Sequence, residues 1–262
     1  IISSSMVLTG AGSAGAASST PFRGITVFNS DLDVIDSQLQ CFSGSLSDPV
    51  VGLGMEMDGG LIHVSRESVR VPQVPRLYIE GSHLGRCAGR LGGLVYSSLS
   101  DVQAVRTAFD SSSAADSGGA LYATSFSNVS LSSVTFWGNA VDDGPSGVGG
   151  GSVAVSQSDL VATDVHVTRS RAPSGGGMLV LAGSSAALSD SSIADAAATS
   201  FDGGAISFAT ASSLDVTSTS ISHCSAVRNG GGVHLAFSRS SASVFDGASI
   251  TGCVAESGDG GA

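Results

Sequence analysis

The sequence predicts an all-β, single-stranded parallel solenoid with coils of about 26–33 residues, and three observations lead there. A glycine pair returns eight times, at Gly59-Gly60, Gly92-Gly93, Gly118-Gly119, Gly150-Gly151, Gly176-Gly177, Gly203-Gly204, Gly230-Gly231 and Gly260-Gly261. Counted from the second glycine, the steps are 33, 26, 32, 26, 27, 27 and 30 residues. At such a period each unit contacts mainly its neighbours and stacks along one axis. A second spacing recurs later in each unit, and the composition disfavours helices.

The first element of a unit is a short strand. Two and four places after the second glycine stand Ile62/Val64, Leu121/Ala123, Val153/Val155, Leu179/Leu181, Ile206/Phe208 and Val233/Leu235, with Val95/Ser97 the weak pair. Alternation of period two puts both members on one face. The second pattern is an apolar residue, another five places on, then small residues three and five places beyond. Its sets are Ile79-Leu84-Cys87-Gly89, Ala104-Phe109-Ser112-Ala114, Leu131-Phe136-Asn139-Val141, Ala162-Val167-Ser170-Ala172, Leu188-Ile193-Ala196-Ala198, Val216-Ile221-Cys224-Ala226 and Phe245-Ile250-Cys253-Ala255. An offset of five implies a bend between two strands, and the small residues imply a narrow interior. Leu84, Phe109, Phe136, Val167, Ile193, Ile221 and Ile250 then form one core column. Each coil reads as roughly three strands, with coils about 4.8 Å apart.

Helical repeats share this period, but glycine is 36 of 262 residues. Each glycine in a helix interior costs about 1 kcal/mol relative to alanine. AISFAT (205–210) and SLDVTSTS (213–220) also carry strand periodicity. The second glycines, Gly60, Gly93, Gly119, Gly151, Gly177, Gly204, Gly231 and Gly261, read as corners that use positive φ and close backbone approach. Turn formers precede several of them, as at Asp116-Ser117, Asp202 and Arg228-Asn229. The two longest steps place insertions near 66–76 and 142–149, both containing proline and charge.

One domain is the simplest partition. Residues 1–58 read as irregular N-terminal coils of the same solenoid, since Leu32, Val34 and Leu39 repeat the apolar offsets. Residues 59–262 read as the regular part, and the closing Gly260-Gly261-Ala262 as the opening of a coil that continues further. Open solenoid ends expose unpaired edges. The first twenty residues lack a basic n-region, and no stretch of 18 apolar residues marks a membrane span.

Gly118-Gly119-Ala120-Leu121 and Gly203-Gly204-Ala205-Ile206 match a GGA[ILV] tetrapeptide, and Phe136-Trp137-Gly138-Asn139 matches an FxxN tetrapeptide. On these residues the chain resembles the right-handed parallel β-helix (pectin-lyase-like) superfamily, and more narrowly the repeats of chlamydial polymorphic outer-membrane proteins. Other coils depart from the second motif, as at Ile221-Ser222-His223-Cys224 and Ile250-Thr251-Gly252-Cys253. The resemblance covers residues 59–262. It implies right-handed coils, an extracellular or cell-surface location and an attachment role.

The net charge is −11 and all eleven basic residues are arginine, which argues against a nucleic-acid groove. An acidic, serine-rich surface suits solubility in a secreted or surface-exposed protein. Cys224 and Cys253 occupy equivalent places in successive coils. They read either as an inter-coil disulfide, which needs Cα atoms about 4.4–6.8 Å apart, or as two buried small side chains. Cys87 meets Ser112 in the next coil, and no C-x-x-C spacing suggests a metal. Asn128-Val129-Ser130 is an N-glycosylation acceptor.

The β-helix hydrolases resemble one another in an aspartate pair, a further aspartate, a Gly-His-Gly and an Arg-x-Lys segment. Here Asp142-Asp143 stands without Gly-His-Gly and without any lysine, and reads as a solvated loop. His63, His83, His166, His223 and His234 read as wall residues, with His223 and His166 outward. Trp137 either stands outward as a ligand or partner contact, with Asp142 and Asp143 nearby, or packs beneath the 142–149 insertion. No residue set calls for catalysis, a cofactor or a metal. The reading is a non-catalytic structural or adhesion segment of a larger surface protein or filament, partnered by further segments, neighbouring subunits or glycans. A polysaccharide-active lyase or hydrolase and a non-catalytic glycan-binding module are the alternatives.

Overall fold

A computed structural model describes residues 24–41, 58–66, 73–144, 147–181, 183–208, 213–236, 242–258 and 260. Every pairing between its strands is parallel, and sheet neighbours come from successive coils. The chain is a stacked parallel β-solenoid. The first wall is an eight-stranded sheet, running in chain order from Ile25–Phe28 through Leu121–Thr124 to Val233–Leu235. The second begins at Leu32–Ile35 and ends at Ala242–Asp246, and bends into a further row that includes His83–Gly85, Ala108–Asp110 and Ser249–Thr251. Asn128–Trp137 and Asp159–Thr168 run through that bend as single strands. The third wall is short and seven-stranded, from Ala88–Leu91 to Val254–Ala255.

Leu39, Leu84, Phe109, Phe136, Val167, Ile193, Ile221 and Ile250 are successive register partners along the interior. The Phe109 and Phe136 rings stack at 5.0 Å and 12°, a geometry worth about 0.5–1.5 kcal/mol beyond the area buried. The offset of five has a backbone cause. In an uninterrupted strand, residues five apart face opposite ways. Here a left-handed residue stands between them, at Asp36, Gly81, Arg106, Ser133, Asp164, Asp190, Ser218 and Gly247. It turns the chain so that both apolar side chains point inward. A second left-handed file, Arg86, Ser111, Gly138, Arg169, Asp195, His223 and Gly252, makes the corner into the third wall.

These corners divert the following amide out of the ladder, and at several of them a side chain of the next coil accepts it. Between the first two walls, the amides of Ser100, Ser127 and Ser158 donate to the hydroxyls of Ser127, Ser158 and Ser184 at 3.3, 3.2 and 3.3 Å. At the bend, the amides of Ser37 and Val165 donate to Ser82 and Ser191, both at 3.0 Å. Before the third wall, the Ser112 amide donates to Asn139 Oδ1 at 3.1 Å, and Asn139 Nδ2 returns a bond to the Phe109 carbonyl. These acceptors are buried. A buried amide left unpaired costs about 1–3 kcal/mol, so the hydroxyl files are what let the corners sit inside.

The two glycines of a pair have separate tasks. Gly118 takes the positive φ, +66°, while a Cβ on Gly119 would lie 2.0 Å from the Gly151 carbonyl oxygen of the next coil. In the fifth coil the pair is Gly175-Gly176, not Gly176-Gly177. Val153 pairs with Met178, so Gly177 stands where Ser152 and Ala205 stand elsewhere. The inward strand residues there are accordingly Met178 and Val180 rather than Leu179 and Leu181. Three consecutive glycines hid the register. Gly261 lies outside the described residues, as do 67–72 and 145–146 of the two insertions.

Cys41 and Cys87 form a disulfide between successive coils, with Cα atoms 5.0 Å apart. Cys224 and Cys253 are free, buried thiols, the second of the two readings open to them.

Candidate functional site

On the first wall, the residues three places beyond each second glycine form one file on the face away from the core: His63, Tyr96, Tyr122, Ala154, Leu179, Ser207 and His234, of which Ala154, Leu179 and Ser207 are buried. Rings occupy its early part. Phe28 and His63 centroids lie 5.8 Å apart, His63 and Tyr96 4.7 Å, and Tyr96 and Tyr122 6.0 Å with planes at 20°. Residues that lead into these strands add charge: Arg90 pairs with Asp58 at 2.7 Å and with Asp116 at 3.0 Å. His63 Nδ1 lies 3.0 Å from the Asp58 carbonyl oxygen, and Nε2 lies 3.1 Å from the Ser65 hydroxyl. A carbonyl only accepts, so Nδ1 carries a proton, and in the neutral ring Nε2 accepts from serine. Burial pushes the Tyr96 phenol above its ordinary value; a hydrogen bond with Ser98 opposes this and the Asp58 charge adds to it. This aromatic and ion-pair strip was absent from the sequence reading. Its signal was nonetheless present, because His63, Tyr96 and Tyr122 share one offset from the glycine pair.

The second wall carries the other candidate. Trp137 is 48% exposed, in register with Asp110 on one side and Thr168 on the other. It takes the outward reading. The Arg169 guanidinium stands 6.0 Å from the ring centre. One rung earlier, His83 Nε2 contacts the Asp110 carboxylate. On the neighbouring outward file, His166 reaches Ser192 Oγ at 2.8 Å and Asp164 Oδ1 at 3.3 Å. This strip holds an indole face, a guanidinium, two histidine–carboxylate pairs and hydroxyls, which together can bind a polar ring. Asn128 stands outward on the same wall, its amide nitrogen 2.7 Å from Asp101 Oδ1.

Asp142 and Asp143 have other partners. Asp143 accepts the Thr199 hydroxyl, and the Asp142 amide donates to the Ala114 carbonyl. Partial desolvation raises the Asp142 carboxyl above the usual carboxylate range, and the Asp143 charge adds to it. His223 is exposed at a left-handed corner, and His234 Nδ1 lies 3.9 Å from Asp202 Oδ2. Among the described residues, no group of three or more His, Cys, Asp or Glu is placed to hold a metal ion, and no helix is long and apolar enough to cross a membrane. At the last rung, a cavity of about 240 Å³ is lined by Gly232, Val233, Leu235, Phe245, Ile250 and Gly260.

No family model, no curated protein and no solved structure matches the chain. The class defined by its architecture is the parallel β-solenoid.

Proposed function

We propose that the chain is a non-catalytic, extracellular structural or adhesion segment of a larger surface protein or filament, acting as a stiff rod. The observation that carries this reading is the unbroken parallel register of the first two walls. Backbone ladders, hydroxyl files and stacked rings tie each rung to both neighbours, which resists bending and leaves long outer faces for contact. The inter-coil Cys41–Cys87 disulfide supports an extracellular setting, because such bonds persist in oxidising compartments. The parallel register holds to the last described rung, where Ser213–Thr217 pairs with Ala242–Asp246. A further coil laid there, from the longer chain or a neighbouring subunit, would extend the ladders.

The test is retention of the purified chain on host cells and a glycan array, with a reducing-end assay on the same polysaccharides. Retention without new reducing ends is expected. Release of reducing ends replaces this reading with a polysaccharide-active enzyme. A glycan-binding module without catalysis is the second reading, favoured by the half-exposed Trp137 beside Arg169. Under it, Trp137→Ala abolishes glycan retention while leaving the rod folded; unchanged retention removes it.

A further inference from the structure

Cys87, Ser112, Asn139, Ser170, Ala196, Cys224 and Cys253 make one interior file, each just after a corner residue on the way to the third wall. In this file Asn139 accepts the amide of Ser112 in the preceding coil. The two thiols donate to carbonyls of their own coils, Cys224 to Ser222 at 3.2 Å and Cys253 to Thr251 at 3.5 Å. The strands on either side are in register: Ile221 pairs with Ile250, and Ser225 with Val254. The two cysteines are thus held one rung apart, about 4.8 Å, inside the window of about 4.4–6.8 Å that a disulfide requires between Cα atoms. Cys87, in the same file, already bonds to the preceding coil with Cα atoms 5.0 Å apart.

We propose that Cys224 and Cys253 are an oxidisable dithiol that closes into a second inter-coil disulfide, stapling the C-terminal rungs as Cys41–Cys87 staples the N-terminal ones. The co-reactant is a small disulfide such as oxidised glutathione. The Cys253 thiol loses its proton and its sulfur attacks one glutathione sulfur, expelling a glutathione thiolate. The Cys224 sulfur, deprotonated in turn, then attacks Cys253 and expels the second. Two protein thiols are oxidised by two electrons, and one glutathione disulfide is reduced to two thiols, its sulfurs taking up the two protons that the protein thiols lose. Cys253 is the thiol nearer the last described rung, 5% exposed against 1% for Cys224. Gly232 lines the cavity there, and a Cβ built on Gly232 would sit 3.4 Å from Cys253 Sγ. Cys224 lies deeper, and burial pushes its thiol up to about 12, the Ala196 amide opposing and Cys253 adding. Closure therefore accelerates as pH rises.

The experiment incubates the full chain with oxidised glutathione at neutral and mildly alkaline pH. Remaining thiols are alkylated in denaturant and the peptides mapped by mass without reduction. The expected product is a Cys224–Cys253 linked peptide beside Cys41–Cys87, formed faster at the higher pH, with slower amide exchange around Ile221 and Ile250. Two thiols still open to alkylation, or a lasting glutathione adduct with no linkage, overturn the proposal. Cys224→Ser supplies the second arm, and serine already occupies this file at Ser112 and Ser170. That variant should stop as a glutathione adduct on Cys253. No adduct there, while the unsubstituted chain cross-links, overturns the order of steps.

Discussion

Replacing Gly119 with alanine would place a Cβ 2.0 Å from the Gly151 carbonyl oxygen and 2.5 Å from that of Ala140. Both obstacles are backbone atoms held in ladders, so neither can swing aside. The Gly150 carbonyl also accepts the Gly119 amide at 3.0 Å, which keeps the next coil pressed close. Relief requires spreading adjacent coils, and overpacking of this kind costs about 1–3 kcal/mol, or more where the backbone cannot shift. Gly138 separates this effect from conformational strain. It has φ +63°, but its nearest neighbour to a new Cβ is Ser111 Oγ at 4.0 Å. Gly138→Ala therefore bears only the left-handed penalty of about 1–2 kcal/mol. Ser111 and Arg169 meet the same demand in that file.

The assay is urea unfolding followed by far-UV circular dichroism, with hydrogen exchange to locate the weakened coils. Gly119→Ala should lower the midpoint well beyond Gly138→Ala, with faster exchange at Gly92–Val95 and Val153–Ser156. Equal midpoints for the two variants would refute close approach as the task of the second glycine.

Three further outcomes follow from the same geometry. Cys41→Ser with Cys87→Ser opens a 46-residue separation, which the chain-entropy relation values at about 4 kcal/mol; an unchanged thermal midpoint for the double variant counts against the staple. Asn139→Ala strands the buried Ser112 amide and Phe109 carbonyl, about 1–3 kcal/mol for each group, whereas a loss no larger than for an exposed residue such as Thr135→Ala in urea would mean that another group takes over. The Asp142 carboxyl is raised in the folded chain, so its protonated form is the one folding favours. Stability from this group is full below the ordinary carboxylate range and is lost as pH rises through the folded value. Asp142→Asn should flatten that acid-side slope in a pH series of urea midpoints, by a small amount because the group is only partly desolvated and solvent screens it; an unchanged slope contradicts the shift.

The stacked architecture was legible because inward positions repeat one class of side chain at one spacing, and Leu84, Phe109, Phe136 and Ile193 hold it through changes elsewhere. The left-handed corners were not. Asp164, Arg106 and Ser133 share a backbone conformation but no side-chain type, and only the odd offset betrayed a bend. Outward files were harder still, since His63, Tyr96, Tyr122, Ala154 and Leu179 follow one another with no common chemistry. Serine misled most. Its abundance reads as a solvated surface, yet Ser82, Ser100, Ser112, Ser127, Ser158, Ser184 and Ser191 are all buried. Each follows a turn in the chain, and most accept an amide that the turn has displaced. A hydroxyl is small enough for the narrow interior and can both accept that amide and donate to a nearby carbonyl, as Ser82 does to Glu80 and Ser191 to Ser189. Valine at the same place, as at Val134 and Val165, fills the space but accepts nothing. The serine spacing thus marks the corners more directly than glycine does, because glycine only permits a turn, while the buried hydroxyl pairs the amide that the turn leaves behind.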